Sequence, residues 1–280
     1  MRLGGPVFYR GNDPEEFALA HVKKGYRAAY CPEGITYEDT EQIKAYREAL
    51  ERHDILPAEV GAWCNPLSMN LTEARENIAY IKGRLRLADL LGAKTCVNIL
   101  GTKYIGNWYG PSGACYKPYF FKEAVELARE IVDEVKPVHA KLSFEIMPYC
   151  FLDSPEEYLR FLEAVDRKEV GIHFDPCNCI ESPRRYYDNR AFLKHAFALL
   201  GEGILSIHLK DIRIVPDSLT VAFEEVLIGE GFLRYATLMH EIAKLPADTP
   251  AMLEHLSGEE EYDKAAAAVR YFARTAGMEV

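Results

Sequence analysis

Short apolar runs, rich in β-branched and aromatic residues, alternate with longer segments of helical period from one end of the chain to the other. Apolar runs of this kind indicate buried strands. We predict eight strands, at residues 3–8, 26–31, 56–63, 94–100, 141–147, 170–174, 204–209 and 251–256. No linker interrupts the alternation, so the pattern favours one continuous fold.

Each predicted strand is followed by a segment with the signals of a helix. The sequences DPEE at 13–16 and SPEE at 154–157 each combine an N-cap residue, a proline at the first helical position and a glutamate three residues after the cap. Apolar residues recur at helical spacing between 121 and 135. The glycines at 25 and 92 are placed to end helices. Further helical patterns cover residues 38–53, 70–91, 190–200, 231–244 and 259–276.

Strands that each precede a helix, eight times over, are the pattern of a (β/α)8 TIM barrel, an α/β fold of about 250 residues. The length of 280 residues fits that size. A doubly wound open sheet is the alternative. It would carry a glycine-rich phosphate turn after its first strand, and the chain has neither G-x-G-x-x-G nor a P-loop. We therefore predict a single barrel domain over residues 1–280.

Composition narrows the class of partner. The chain has 43 acidic and 33 basic residues, a formal charge of -10, which removes the electrostatic attraction that nucleic-acid binding depends on. No apolar stretch approaches the roughly 18 residues of a membrane span, and residues 1–6 lack the apolar core of a signal peptide. The seven cysteines are odd in number and several lie in apolar runs, so we expect free thiols and a cytoplasmic location.

Ionisable residues interrupt the apolar runs of four consecutive strands, from the fifth to the eighth. They are Glu145, Asp175, His208 and Glu254. The active site of a TIM barrel lies at the carboxyl ends of its strands, and neighbouring strands are roughly 5 Å apart, so we expect these side chains to converge. Three crowded carboxylates repel one another unless a cation compensates them. The sequence therefore predicts a site for one divalent metal ion.

Three oxygen ligands and one imidazole suit Mn²⁺, Mg²⁺, Co²⁺ or Zn²⁺, of which we expect Mn²⁺. Cys177 and Cys179 follow Asp175 closely, but a C-x-C pair without a second pair is a weak metal signal. His173 shares a strand face with Asp175, so we expect it one layer lower, as a hydrogen-bonded core residue. His255 alternates to the opposite face and is expected outside the site.

The four candidate ligands and the motifs around them resemble the xylose isomerase-like TIM-barrel superfamily. The motifs are FDPCN at 174–178, HLKD at 208–211 and GEG at 229–231. This superfamily includes sugar and sugar-phosphate isomerases and epimerases, inosose isomerases and dehydratases, and endonuclease IV. In its ketose epimerases the metal holds two adjacent sugar oxygens, while two ligating glutamates remove and return a proton through an enediolate. The resemblance implies that Glu145 and Glu254 are this catalytic pair and that Asp175 and His208 are ligands only.

Two departures limit the resemblance to the ketose epimerases. Asn178 stands where those enzymes commonly have a histidine, and no second acid closely follows Glu145. An asparagine can hydrogen-bond a hydroxyl group but cannot carry a proton. Both departures argue against a classical free-ketose 3-epimerase. The early strands also lack the histidines of the endonuclease IV zinc cluster, which together with the acidic charge argues against a nuclease.

Substrate binding has five candidate residues, namely Asn178, Lys210, Arg213, Trp63 and Trp108. Trp63, at the end of the third strand, and Trp108, in the glycine- and aromatic-rich segment 101–110, can stack on a sugar ring. Packing of the loop or of the core explains each of them equally well. Lys210 and Arg213 can bind substrate oxygens or a phosphate group, and Lys210 can instead pair with Asp211.

These observations predict a divalent-metal-dependent isomerase or epimerase that acts on a small sugar, keto sugar or polyol through an enediolate. The alternative is a lyase with the same metal site, either an inosose-type dehydratase or a 3-keto-glycoside deglycosidase. A third hypothesis is a non-catalytic barrel that binds a sugar without a metal. The expected partners are a small carbohydrate and either further copies of the chain or, for a deglycosidase, a small partner subunit.

Overall fold

A closed barrel of eight parallel strands forms the centre of the computed structural model, which describes residues 1–280. The chain has ten strands in all, of which eight form the barrel. They are β1 (Arg2–Gly4), β2 (Ala28–Tyr30), β3 (Leu56–Gly61), β4 (Thr95–Asn98), β5 (Lys141–Glu145), β6 (Val170–Phe174), β7 (Ile204–Leu209), β8 (Asp211–Ile214), β9 (Phe223–Val226) and β10 (Pro250–Leu253). β8 and β9 form a separate antiparallel hairpin. The other strands follow one another around the barrel in chain order, and β10 closes it between β7 and β1.

Every predicted strand is a strand of the barrel, which confirms the predicted fold class. Several of these strands are shorter than predicted, because the chain leaves the sheet where a proline follows. β1 ends at Gly4, shortly before Pro6, and β2 ends at Tyr30, shortly before Pro32. Proline has no amide hydrogen to donate to a neighbouring strand. The residues after these strands therefore form the loops at the mouth of the barrel.

Helices cover the outside of the barrel. They are α1 (Pro14–Lys24), α2 (Thr40–Arg52), α3 (Leu71–Leu91), α4 (Pro118–Val135), α5 (Pro155–Val165), α6 (Pro183–Tyr187), α7 (Asn189–Leu200), α8 (Tyr235–Ile242) and α9 (Glu259–Thr275), with short 3₁₀ helices at Gly113–Tyr116 and Gly201–Gly203. Asp13 caps α1 as predicted, because its carboxylate accepts hydrogen bonds from the amides of Glu15 (2.8 Å) and Glu16 (3.1 Å). Gly25 ends α1 in the left-handed region at φ 66°.

The hairpin of β8 and β9 was not predicted. Its first residue, Asp211, is buried, and its carboxylate accepts hydrogen bonds from the amides of Ile212 (2.9 Å), Gly229 (3.0 Å), Leu233 (3.0 Å) and Gly231 (3.1 Å). A Cβ atom at Gly231 would overlap with this carboxylate. The GEG turn therefore wraps around Asp211 and fixes the base of the hairpin to the end of β7.

Apolar stripes of the helices pack against the barrel. In α4 the residues that recur at helical spacing include Phe120, Ala124, Leu127 and Ile131, and all four are buried in the main core. The cysteines are free thiols, in agreement with the prediction. None of the helices has the length and apolar character that a membrane crossing requires.

Candidate metal centre

Four polar side chains converge at the carboxyl end of the barrel. Glu145 is the last residue of β5, Asp175 directly follows β6, His208 lies in β7 and Glu254 directly follows β10. One ligand atom from each of the four lies within 4.8 Å of the others. The distance from His208 Nδ1 is 2.9 Å to Glu254 Oε2 and 3.2 Å to Glu145 Oε1. The structure thus brings together the four residues that the sequence placed at strand ends.

The ammonium group of Lys210 lies among these carboxylates. Its Nζ atom is 2.7 Å from Asp175 Oδ2, 3.0 Å from Glu254 Oε2 and 3.7 Å from Glu145 Oε1, and the side chain is buried. Lys210 does not pair with Asp211, whose carboxylate is occupied by backbone amides. Lys210 is therefore the positive charge that the chain itself supplies to the carboxylates.

Burial and neighbouring charges act in opposite directions on these acids. Burial raises the pKa of Asp175 to about 6, against the opposing effect of the Lys210 ammonium. Burial also acts to raise the pKa of Glu254, but His208 and Lys210 outweigh it and hold that pKa well below its usual range. The pKa of Glu145 is lowered as well, since Lys210 and His208 together outweigh burial and the charge of Glu254.

The carboxylate oxygens around Lys210 are buried and crowded. Lys210 Nζ lies 2.7 Å from Asp175 Oδ2 and 3.0 Å from Glu254 Oε2, and His208 Nδ1 lies 2.9 Å from the same Glu254 oxygen. The ammonium group is also 3.6 Å from Glu225 Oε1, so that four carboxylates, with Glu145, face one lysine and one imidazole. Carboxylates crowded in this way repel one another unless a further cation compensates them. Hard oxygen donors with one imidazole are the ligand set that suits Mn²⁺, Mg²⁺ or Zn²⁺, and the residues therefore fit a divalent cation.

Glu59, in the middle of β3, is a part of the centre that the sequence analysis missed. It is buried, and its carboxylate lies 3.2 Å from His208 Nε2 and 3.2 Å from His173 Nε2. The Ser206 hydroxyl donates to the same carboxylate. Burial alone would raise the pKa of Glu59, but the two imidazoles hold it well below its usual range. The only signal in the sequence was a lone glutamate in the otherwise apolar strand Leu56–Gly61.

The two histidines next to the predicted ligands differ in outcome. His173 is a buried, hydrogen-bonded residue whose ring lies 4.1 Å from that of His208, as predicted for a core histidine below the site. His255 does not belong to the group of four candidate ligands, but its side chain lies beside Glu254 and not on the opposite face as predicted. Its Nε2 atom is 3.4 Å from Glu254 Oε1, and its Nδ1 atom is 2.9 Å from Glu225 Oε2 in the hairpin. β10 ends at Leu253, so strand alternation no longer governs residue 255.

Asn178 contacts the centre directly. Its amide nitrogen donates hydrogen bonds to Glu145 Oε1 (3.0 Å) and to the carbonyl of Ile146 (3.1 Å). Asp175 Oδ1 in turn accepts a hydrogen bond from the backbone N–H of Asn178 at 3.2 Å. Asn178 therefore holds Glu145 in place, and the N–H groups of its side chain are used in these bonds. Cys177 and Cys179 are buried, and neither belongs to a group that can hold a metal.

The remaining substrate candidates lie at different distances from the centre. Trp63 is 41% exposed and its ring centroid is 6.3 Å from that of His208, so it stands at the rim of the site. Trp108 packs edge-on against Tyr109 with ring centroids 5.3 Å apart. Arg213 is in the hairpin, where its guanidinium donates to Glu224 at 2.7 Å. Of these three, the structure brings only Trp63 into contact with a candidate ligand.

Comparison with known proteins agrees with this architecture. The family model described as xylose isomerase-like TIM barrel matches residues 22–274. No curated protein matches the chain. Solved structures that share 11–15% of their residues with the chain show its fold alone.

Three solved structures resemble the chain over almost its whole length. A probable 3-DHS dehydratase from Bacillus anthracis has a TM-score of 0.69 at 15% identity, covering 96% of this chain and 97% of that one. A 3-keto-D-glucoside 4-epimerase from E. coli has a TM-score of 0.67 at 11% identity, covering 98% and 99%. A xylose isomerase-like TIM barrel protein from Mycobacterium smegmatis, solved in complex with magnesium, has a TM-score of 0.66 at 14% identity, covering 98% and 96%.

Proposed function

The chain belongs to the xylose isomerase-like TIM barrel family, and from this premise we propose that it is a divalent-metal-dependent isomerase or epimerase of a small sugar or keto sugar. The observation that supports the proposal is the convergence of Glu145, Asp175, His208 and Glu254, whose ligand atoms all lie within 4.8 Å of one another. These four residues would hold the ion. A barrel of similar fold was solved in complex with magnesium, which supports the choice of a divalent ion.

The ion, when bound, supplies a Lewis acid that stabilises negative charge on substrate oxygens. The chain supplies the proton transfer. Glu145 and Glu254 come from the ends of different strands, and an oxygen of each lies close to His208 Nδ1, at 3.2 and 2.9 Å. One carboxylate can remove the proton beside a substrate carbonyl, and the other can return it from a different direction.

The surrounding residues orient these two glutamates and set their charge. Asn178 donates to Glu145 Oε1 and fixes its orientation. His208 and Lys210 outweigh burial and keep the pKa of Glu254 low, so that this carboxylate is anionic. The rim position of Trp63 suits a stacking contact with a sugar ring.

A keto sugar is the substrate class we favour. Proton removal needs an adjacent carbonyl group, and the neighbour from E. coli is named for a 3-keto-D-glucoside. The second candidate is a lyase that uses the same glutamates and then expels a leaving group, and the dehydratase among the neighbours favours it. The two reactions share proton abstraction and differ in whether the proton is returned or a group is lost.

The first experiment measures the metal that remains bound after incubation with Mn²⁺ and desalting, by elemental mass spectrometry. We expect about one equivalent in the wild type and loss of the metal in Asp175→Asn and His208→Ala. Asp217→Asn and His195→Ala, two changes at exposed positions, serve as matched controls. Absence of metal from all the folded proteins would contradict the proposal and favour a sugar-binding barrel.

The second experiment separates the candidate reactions. Keto sugars are incubated with the Mn²⁺-loaded protein in deuterated water. Deuterium at the carbon beside the carbonyl is expected for either enzyme and would not occur with a binding protein. Release of water or of an aglycone, with no change of configuration, would favour the lyase over the epimerase.

A further inference from the structure

A large cavity lies beside the candidate metal centre, at the ends of the first three strands. Its volume is about 710 Å³, and Glu59 and Trp63 line it. Both residues contact His208, so the cavity adjoins one of the candidate ligands, although none of the four lines it. At roughly 30 Å³ per water molecule it has room for some two dozen waters. A simple sugar has about half as many non-hydrogen atoms, and the cavity therefore has space for a substituent as well.

Two arginines without acidic partners line this cavity, Arg84 from α3 and Arg10 from the loop after β1. The Nε atom of Arg84 donates to the carbonyl of Gly61 at 2.9 Å, which fixes the guanidinium at the end of β3. Neither arginine forms an ion pair anywhere in residues 1–280. Of the two acids in the lining, Glu33 is exposed and Glu59 is already bonded to His173 and His208.

The rest of the wall is largely aromatic. Tyr9, Tyr30, Trp63 and Tyr80 all line the cavity. The indole of Trp63 lies over Gly61, so close that a Cβ atom there would overlap with it. Arg84 binds the carbonyl of the same glycine. The stacking surface and the fixed guanidinium are therefore adjacent, an arrangement that suits a ring carrying a negatively charged group.

We propose that this cavity binds an oxyanion substituent of the sugar substrate, a phosphate or a carboxylate, through Arg84 and Arg10. The planar fork of donors in a guanidinium matches the oxygens of either group, and the fork of Arg84 is held in place before any ligand arrives. The inference rests on the proposed function for the position of the reacting carbon. It adds that the substrate is an acidic sugar.

The test is ligand binding to metal-free protein, treated with EDTA so that no anion binds through an ion. Trp63 and Trp108 are the only tryptophans, so in a Trp108→Phe background the fluorescence reports on Trp63 alone. The probes are glucose, glucose 6-phosphate, glucuronate and inorganic phosphate. We expect at least one of the two acidic sugars to bind about 10- to 100-fold more tightly than glucose, as charge-assisted hydrogen bonds allow. Whichever acid binds better identifies phosphate or carboxylate.

Arg84→Gln should abolish most of this preference, and Arg84→Lys should retain part of it, since a lysine keeps the charge but loses the fork. Arg274→Gln removes an exposed arginine in the last turn of α9 and is the control for net charge. Equal binding of glucose and both acids would overturn the proposal, as would equal losses in Arg84→Gln and Arg274→Gln.

The two proposals fail separately. Arg84→Gln should leave Mn²⁺ stoichiometry unchanged, because Arg84 is not among the candidate ligands. Asp175→Asn should leave the binding of the acidic probes to metal-free protein unchanged, because Asp175 does not line the cavity. Loss of metal binding with intact anion binding would count against the metal centre alone, and the reverse result would count against the oxyanion site alone.

Discussion

Glu59 and Asp175 are both fully buried carboxylates at the same end of one barrel, yet their surroundings differ. The Glu59 carboxylate contacts two imidazoles and a hydroxyl group. Asp175 Oδ2 lies 2.7 Å from the Lys210 ammonium group, and Asp175 Oδ1 accepts from the backbone amides of Cys177 and Asn178. The pKa of Glu59 is lowered, whereas that of Asp175 is raised to about 6. Burial is the same in both cases, so the groups that face each carboxylate decide its pKa.

His208 joins the two regions. Its Nε2 atom faces Glu59 and its Nδ1 atom faces Glu145 and Glu254. Burial acts to lower the pKa of His208, but these carboxylates outweigh it and raise that pKa well above its usual value. Loss of the Nδ1 proton would leave a lone pair there for a cation, while Nε2 still donates to Glu59. Glu59 is therefore a positioning residue for His208, and the acids on the other side are the ones placed to act on a substrate.

The largest effect is expected when a charge is removed from the carboxylates that face His208 Nδ1. Glu145→Gln and Glu254→Gln should each slow deuterium exchange into the substrate by about 10²- to 10⁴-fold, the usual contribution of a general acid or base. Glu224→Gln, an exposed acid that pairs with Arg213, should leave the rate unchanged. A rate preserved in both active-site variants would show that the two glutamates do not move the proton.

The second test is the pH dependence of stability in metal-free protein. The folded chain keeps a proton on Asp175 up to about pH 6, whereas an unfolded aspartate releases it near pH 3.9. Folding therefore takes up a proton at Asp175 between these values, and the contribution of Asp175 to the free energy of unfolding should fall as pH rises from about 4 to 6, by an amount on the order of 2–3 kcal/mol. This contribution is the difference between the wild type and Asp175→Asn.

Denaturant titrations at several pH values measure this slope. Asp175→Asn should remove it. Glu59→Gln should leave it in place, because the lowered pKa of Glu59 contributes stability of the opposite sign, present above the unfolded pKa and lost as pH falls. A slope that persists in Asp175→Asn would assign the proton to another group.

The third test weakens the support of His208 without touching a ligand. Glu59→Ala should lower the affinity for Mn²⁺ by about 10- to 100-fold, as is typical when the partner of a ligating histidine is lost. Ser206→Ala removes a hydroxyl that bonds to Glu59 but does not contact His208, so its effect should be smaller. Calorimetric titration with Mn²⁺ measures both, and equal affinities in all three proteins would contradict the positioning role.

The smallest expected effect concerns Lys210. Lys210→Met removes the ammonium group from three carboxylates, so their repulsion should destabilise the metal-free protein. Mn²⁺ should then raise the melting temperature of the variant more than that of the wild type, by a few degrees. Thermal unfolding with EDTA and with Mn²⁺ measures this difference. An identical gain in both proteins would mean that Lys210 does not compensate the carboxylates.

The sequence was sufficient to find the four candidate ligands because one rule, polar residues at the carboxyl ends of barrel strands, applies to each of them separately. Glu59 escaped this rule. It lies inside its strand, and its partner His173 is 114 positions away in the chain. Only the closure of the barrel brings the two together.

Local geometry explains the other misses. His255 adopts a left-handed backbone conformation at φ 57° just after β10, which turns its side chain back towards Glu254. Arg213 belongs to a hairpin that was not predicted, and there its side chain pairs with Glu224 across the two strands. For His255 the strand period was extended beyond Leu253, the last residue of β10, where it no longer applies.

The anchoring of Asp211 has a consequence for protein engineering. Its bonds to the GEG turn hold the base of the hairpin, while the tip around Leu219 is fully exposed. Contact with the candidate metal centre comes from Glu225 in β9, which lies 3.6 Å from Lys210, and the tip lies beyond the paired strands. The segment 215–222 is thus a natural place to graft a recognition loop or a reporter peptide, with the barrel serving as an unchanged scaffold.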